Sequence, residues 1–199
     1  MSGNRATKMA STKLIQDFEH LRDYCIVIRQ NYNTYIQLFN EENRDILSKV
    51  AATFFTDIAT IMQRDWVLQV CKIMDKAVIY GQENLTIDLI NKQLRDQSLS
   101  NSVIDRISDE ILIYYSKLKP VRNKRLAHND RNSQVNSIVL GETTESELNV
   151  FLVNIQKYCD EVGSAIGIGP LDFSCSGCKG DVLDLLKHLR TNEATDGRC

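Results

Sequence analysis

Residues 12–40, TKLIQDFEHLRDYCIVIRQNYNTYIQLFN, decide the fold. Leu14, Phe18, Leu21, Cys25, Ile28, Tyr32, Tyr35 and Phe39 follow one another at steps of three and four. A helix with about 3.6 residues per turn gathers such positions on one side. The stretch therefore predicts one long amphipathic helix that must bury its apolar side against partners of the same kind. Asn40 ends it or caps the next helix.

The same stepping recurs along the chain. Ile46, Val50, Phe54, Ile58, Ile61, Asp65, Leu68, Cys71 or Lys72, and Met74 outline a second helix over 43–75, whose apolar arc widens around Phe54-Phe55 and Trp66-Val67-Leu68. Asp65 falls within that stripe and needs a partner or a cleft, because an unpaired buried carboxylate costs several kcal/mol. Residues 76–86, with Gly81, Asn84 and Thr86, read as a loop. A short helix over 87–95 follows, capped by Thr86, with Leu89, Ile90 and Leu94 inward. A further helix begins near Asn101 or Ser102 and carries Ile104, Ile107, Ile111, Tyr114 or Tyr115, and Leu118. Residues 134–143 form a polar or short extended connection. Glu145 to Ile166 is the last long helix, and Asp181 to Leu189 a final short one. No strand is convincing. The fold class is all-α: an antiparallel bundle of about four long helices plus short helices. A chain of 199 residues buries one sizeable core. Residues 11–190 are read as one helical domain between flexible tails at 1–10 and 191–199.

Composition excludes several classes. The net charge of −2 gives the whole molecule no electrostatic attraction to nucleic acid, so any such site must be a local basic patch. Charged residues interrupt every apolar run, which argues against a membrane span. Met1 to Lys8 is followed by no apolar region of the signal-peptide type. Of the six cysteines, Cys25, Cys71 and Cys159 lie on apolar helical faces and read as small buried hydrophobes. A helical core of this size does not need disulfides, so reduced thiols and a cytoplasmic location are expected. Cys175 and Cys178 form a C-x2-C that His188 and Cys199 would have to complete as a zinc site. The spacing to His188 is loose, and the pair reads better as free thiols in a glycine-rich turn. No metal or cofactor is expected.

Chemistry concentrates in Arg122-Asn123-Lys124-Arg125-Leu126-Ala127-His128-Asn129-Asp130, just after Pro120. It holds one of the three histidines. Proline breaks the preceding helix, and as a first helical residue it would set the run in the opening turns of a new helix. Free N–H groups there favour anions. On an ideal helix Arg122, Arg125, His128 and Asn129 share one surface. Guanidinium forks match phosphate oxygens, and histidine exchanges a proton near neutral pH. Two arginines and a histidine suit phosphodiester cleavage without a metal. The bland reading is a solvated basic helix end.

Arg122-Asn123, four residues and then His128 resembles the R-x4-6-H signature of the HEPN superfamily. The wider string from Leu118 through Arg122 and His128 to Asp130 resembles its AbiU-like branch, associated with phage abortive infection. Asp65-Trp66-Val67-Leu68, leading to Ile73-Met74-Asp75, and Asn84-Leu85-Thr86 point the same way. The resemblance covers roughly residues 12 to 190. It implies a metal-independent endoribonuclease in phage defence or a toxin–antitoxin system. RNA would be the substrate, a homodimer would pair two motifs, and a cognate antitoxin protein is a possible partner. In that scheme Arg122 binds the scissile phosphate, His128 shuttles the proton, and Asn123 orients groups at the sugar-phosphate. Lys124, Arg125, Asn129 and Asp130 belong to the substrate-binding rim. The competing reading is a non-catalytic interaction module of the same fold that binds RNA or a protein. A structural zinc protein rests on the cysteines only.

Overall fold

The computed structural model describes residues 9–126, 142–173 and 178–196, with Arg125 and residues 192–196 described by their backbone. The described chain is all-α, with six α-helices and one very short hairpin. The helices are α1 (Thr12–Leu38), α2 (Arg44–Met74), α3 (Ile87–Asp96), α4 (Ser102–Val121), α5 (Glu145–Ile166) and α6 (Val182–Asp196). Among the described residues, none of them is long and apolar enough to cross a membrane. The chain divides into two compact units. One runs to Ile26 and resumes over Leu68–Leu171; the other comprises Val27–Val67 and the residues from Asp172 onward.

In the first unit the expected stripe of α1 does what its spacing requires: Leu14, Phe18, Leu21 and Cys25 are fully buried. Each such aliphatic or aromatic side chain contributes about 1.5–3 kcal/mol on leaving water. Thr86 caps α3 through its hydroxyl, which accepts from the Leu89 N–H at 3.2 Å. Helix α4 starts at Asn101, whose side chain accepts from two backbone N–H groups. Helix α5 opens with a reciprocal cap between Thr144 and Glu147. It closes at Gly167, whose φ of 82° is left-handed. Helices α4 and α5 pack together, with Tyr114 stacked on Phe151 at 4.7 Å between ring centres. A buried polar chain ties α3, α4 and α5. The Tyr158 hydroxyl donates to Asn91 Oδ1 at 2.9 Å, and Asn91 Nδ2 donates to Ser108 Oγ at 2.9 Å.

The second unit has its own small core of Leu38, Ile46, Leu47, Phe55, Val182 and Leu186, with Phe39, Ala51 and Leu189 against it. Arg190 donates to Asn43 Oδ1 at 2.6 Å, and Asn43 Nδ2 to the Gln37 carbonyl at 2.7 Å. Asp181 caps α6 by accepting from the Leu183 N–H at 2.9 Å, and the helix continues past Leu189 to Asp196.

Three local expectations change. Residues 76–86 are not only loop: Val78–Ile79 pairs antiparallel with Gln82–Glu83. Tyr80 and Gly81 both have positive φ, 50° and 78°, which is the turn geometry that closes a two-residue hairpin. The second helix is not one continuous stripe, because its backbone breaks at Ala51 with φ −163° and ψ 68°. Leu47 and Phe55, outside the expected stripe, are buried, while Val50, Phe54 and Ile61 of that stripe are exposed. Pro120 does not end α4 either; the helix runs through it to Val121.

Candidate functional site

The site is built in the first unit where α2 ends and α4 ends. Helix α2 stops at Met74 and Asp75 follows it. The next residues are held firmly. The Ala77 N–H donates to Asp88 Oδ2 at 2.9 Å, the Ala77 carbonyl accepts from the Asn84 N–H at 2.8 Å, and Asn84 Nδ2 donates to the Lys76 carbonyl at 3.1 Å. Asp75 thus stands on an anchored backbone between α2 and the hairpin.

Tyr115 and Arg122 come from the other helix run. They are seven positions apart, about two turns, and so share a side of it. Both reach the same carboxylate oxygen. Arg122 Nη2 donates to Asp75 Oδ1 at 2.5 Å, and the Tyr115 hydroxyl donates to it at 3.2 Å. Asp75 lies at a helix end where exposed carbonyls disfavour negative charge, and the guanidinium and phenol offset that. Lys119, one turn before Arg122, sits 5.6 Å from the centre of the Tyr115 ring. Cys71, one turn before Asp75, is buried beside the group.

The electrostatics follow from this arrangement. Burial pushes the Cys71 thiol up to about 11; the Arg122 charge opposes the shift and Asp75 adds to it. Burial and then Asp75 raise the Tyr115 hydroxyl. Burial works to lower Arg122, but Asp75 and Tyr115 outweigh it and hold the guanidinium above its ordinary value. The ion pair is screened but not sealed: the Arg122 side chain is 25% exposed and that of Asp75 19%.

Arg122 opens a π-helical turn, Arg122–Leu126, that continues directly from α4. Its own N–H donates to the Leu118 and Lys119 carbonyls. The expectation that Pro120 places the motif at a fresh helix N-terminus with free N–H groups is therefore corrected for Arg122. Proline has no N–H to give the preceding turn, yet α4 runs through it and passes directly into the wider turn. Asn123 and Lys124 are exposed, and Arg125 lies within the π turn. His128, Asn129 and Asp130 lie outside the described residues.

Sequence reasoning missed the roles of Asp75, Tyr115 and Cys71. Asp75 entered only within a string of resemblance, and Tyr115 and Cys71 as core. The signal was the seven-residue step from Tyr115 to Arg122 and the four-residue step from Cys71 to Asp75, each a same-side spacing. Cys178 is an exposed free thiol, while Cys175 and Cys199 lie outside the described residues. Among the described residues no three histidine, cysteine or acidic side chains gather as a metal site.

No curated protein and no solved structure matches the chain. The AbiU2 family model, an HEPN type, matches residues 11–177. That span takes in the α2 terminus, the hairpin, α4 and the arginine run, and the chain belongs to the AbiU2 family, an HEPN domain of the abortive-infection type.

Proposed function

We propose that the chain is a metal-independent endoribonuclease acting in phage defence or in a toxin–antitoxin pair. Arg122 binds the scissile phosphate and His128 moves the proton. The RNA 2′-hydroxyl attacks the adjacent phosphorus as His128 takes its proton, the P–O5′ bond breaks as His128 returns that proton to the 5′-oxygen, and a 2′,3′-cyclic phosphate remains. Asn123 orients the sugar-phosphate, and Lys124, Arg125, Asn129 and Asp130 line the approach. Two copies pair their motifs across a two-fold axis. The observation that carries this reading is Arg122 itself: a guanidinium held by a part-buried carboxylate that a buried phenol also meets, yet a quarter open, in a chain of the HEPN family.

The test is cleavage of RNA by the purified full chain in the presence of EDTA. His128→Ala should lower the rate by roughly 10²–10⁴, the usual contribution of a general acid–base group. Arg122→Lys should also fail, because an ammonium keeps the charge that faces Asp75 but loses the fork. Activity that needs added metal and ignores His128→Ala would sink the reading.

The same ion pair supports a second reading. A guanidinium already matched to Asp75 can serve as a structural clamp, which fits a non-catalytic module that binds RNA or a protein partner. Partner binding that survives both substitutions, in a dimer that cuts no RNA, decides for the module.

A further inference from the structure

We propose that Asp75 is the positioning residue for the arginine of the motif: its carboxylate, itself anchored by Tyr115, fixes the Arg122 guanidinium in the orientation that receives an RNA phosphodiester. The inference rests on the reading of Arg122 as the phosphate clamp. Its geometry is independent of that reading. A single carboxylate oxygen takes hydrogen bonds from Arg122 Nη2 at 2.5 Å and from the Tyr115 hydroxyl at 3.2 Å.

Three features make Asp75 a guide for Arg122 and not a plug on it. The contact to Asp75 uses Nη2 and Nε is buried without a hydrogen-bond partner, so the donors left for a second anion are the remaining Nη hydrogens. The arginine side chain stays 25% exposed. The carboxylate cannot follow the arginine outward. Tyr115 is buried, and the backbone after Asp75 is tied to Asp88 and Asn84. A long arginine side chain in water loses much rotamer freedom on meeting a phosphate. One that is already fixed on Asp75 has lost it beforehand, and the gain appears in the rate of the bound complex.

The experiment uses the full chain with Asp75→Ala, Asp75→Glu and Tyr115→Phe. Cleavage of a short RNA is measured as kcat and KM, with the folded fraction read from thermal melts. Asp75→Ala should lower kcat by about 100-fold, as misplacement of a reacting group does, with KM little changed. Asp75→Glu should recover part of the loss, because it restores a carboxylate. Tyr115→Phe should fall between wild type and Asp75→Ala. A loss that only tracks the folded fraction overturns the proposal, and so does faster cleavage by Asp75→Ala, which would make Asp75 a plug.

A second measurement does not need turnover. Titration with 2′-O-methyl RNA, which cannot be cut, is followed on the guanidinium 15N signals of Arg122. Signals that move in the wild type and not in Asp75→Ala support the proposal even if the chain cuts no RNA, in which case only the ribonuclease reading fails. Signals that move equally in both, or in neither, overturn it.

Discussion

Tyr158 and Asn91 meet inside the first unit: the tyrosine hydroxyl donates to Asn91 Oδ1 at 2.9 Å, and both side chains are buried. Asn91 passes the chain on to Ser108, whose hydroxyl donates to the Ile104 carbonyl at 2.8 Å. Tyr158→Phe keeps the ring and removes one donor, leaving a buried amide oxygen unmatched. The expected loss is about 1–3 kcal/mol by urea denaturation. An unchanged midpoint would mean that water takes over the bond.

Gly163 is fixed by close approach. A Cβ placed there would lie 2.8 Å from the Ile168 carbonyl oxygen, which belongs to the chain folding back after α5. That obstacle is backbone, so it cannot swing aside as a side-chain tip would. Gly163→Ala should therefore cost about 1–3 kcal/mol despite the better helix propensity of alanine. Thermal melts would show it, and a raised melting temperature would refute the contact.

Arg122 and Asp75 should be energetically coupled. Removing one partner leaves the other half-buried and uncompensated, so each single alanine variant should lose more stability than half the double variant does. A double-mutant cycle by denaturant unfolding should return a coupling of about 1–2 kcal/mol, given the partial exposure of both groups. Additive losses would show that the pair has no mutual preference. The same cycle on Arg122→Lys would separate charge from fork.

Cys71 should make stability fall at alkaline pH. Its thiol sits at about 11 in the folded chain, above its ordinary value of 9.0. The folded state therefore keeps a proton that the unfolded state gives up. The contribution is complete below about 9 and is lost as pH rises towards 11. Its full size is on the order of 2 kcal/mol. Comparing wild type with Cys71→Ala between pH 8 and 11 isolates it from the other buried thiols and phenols. Parallel curves would mean that Cys71 does not titrate as the burial demands.

How much of this was legible beforehand depended on range. The steps of three and four in α1 and α5 are set within single helices, and Leu14 to Ile28 of the first stripe and Ile155, Cys159, Val162 and Ile166 of the last are buried as the spacing selects, while Leu38 and Tyr158 are buried outside it. The Thr86 cap is equally local. The break at Ala51 was invisible because alanine carries no break signal; the backbone departs there while the second unit buries Leu47 and Phe55. The hairpin was missed because Tyr80 lacks the glycine or asparagine that usually marks a left-handed turn position. Arg122 was found from its neighbours in sequence, but its partner lies 47 positions away. Pairing across such a distance leaves no periodic trace in one sequence. The same-side step to Tyr115 indicated only the direction in which to look.

The π turn at Arg122–Leu126 has a metric consequence. A motif written as a count of residues measures contour length, whereas a substrate meets height and azimuth. Each residue of an α-helix advances about 1.5 Å and 100°. A turn closed five residues back absorbs one residue with little axial gain. One more or one fewer residue within Arg122–Leu126 can thus be taken up by tightening or widening that turn. Deleting one residue there is a change of winding before it is a change of reach.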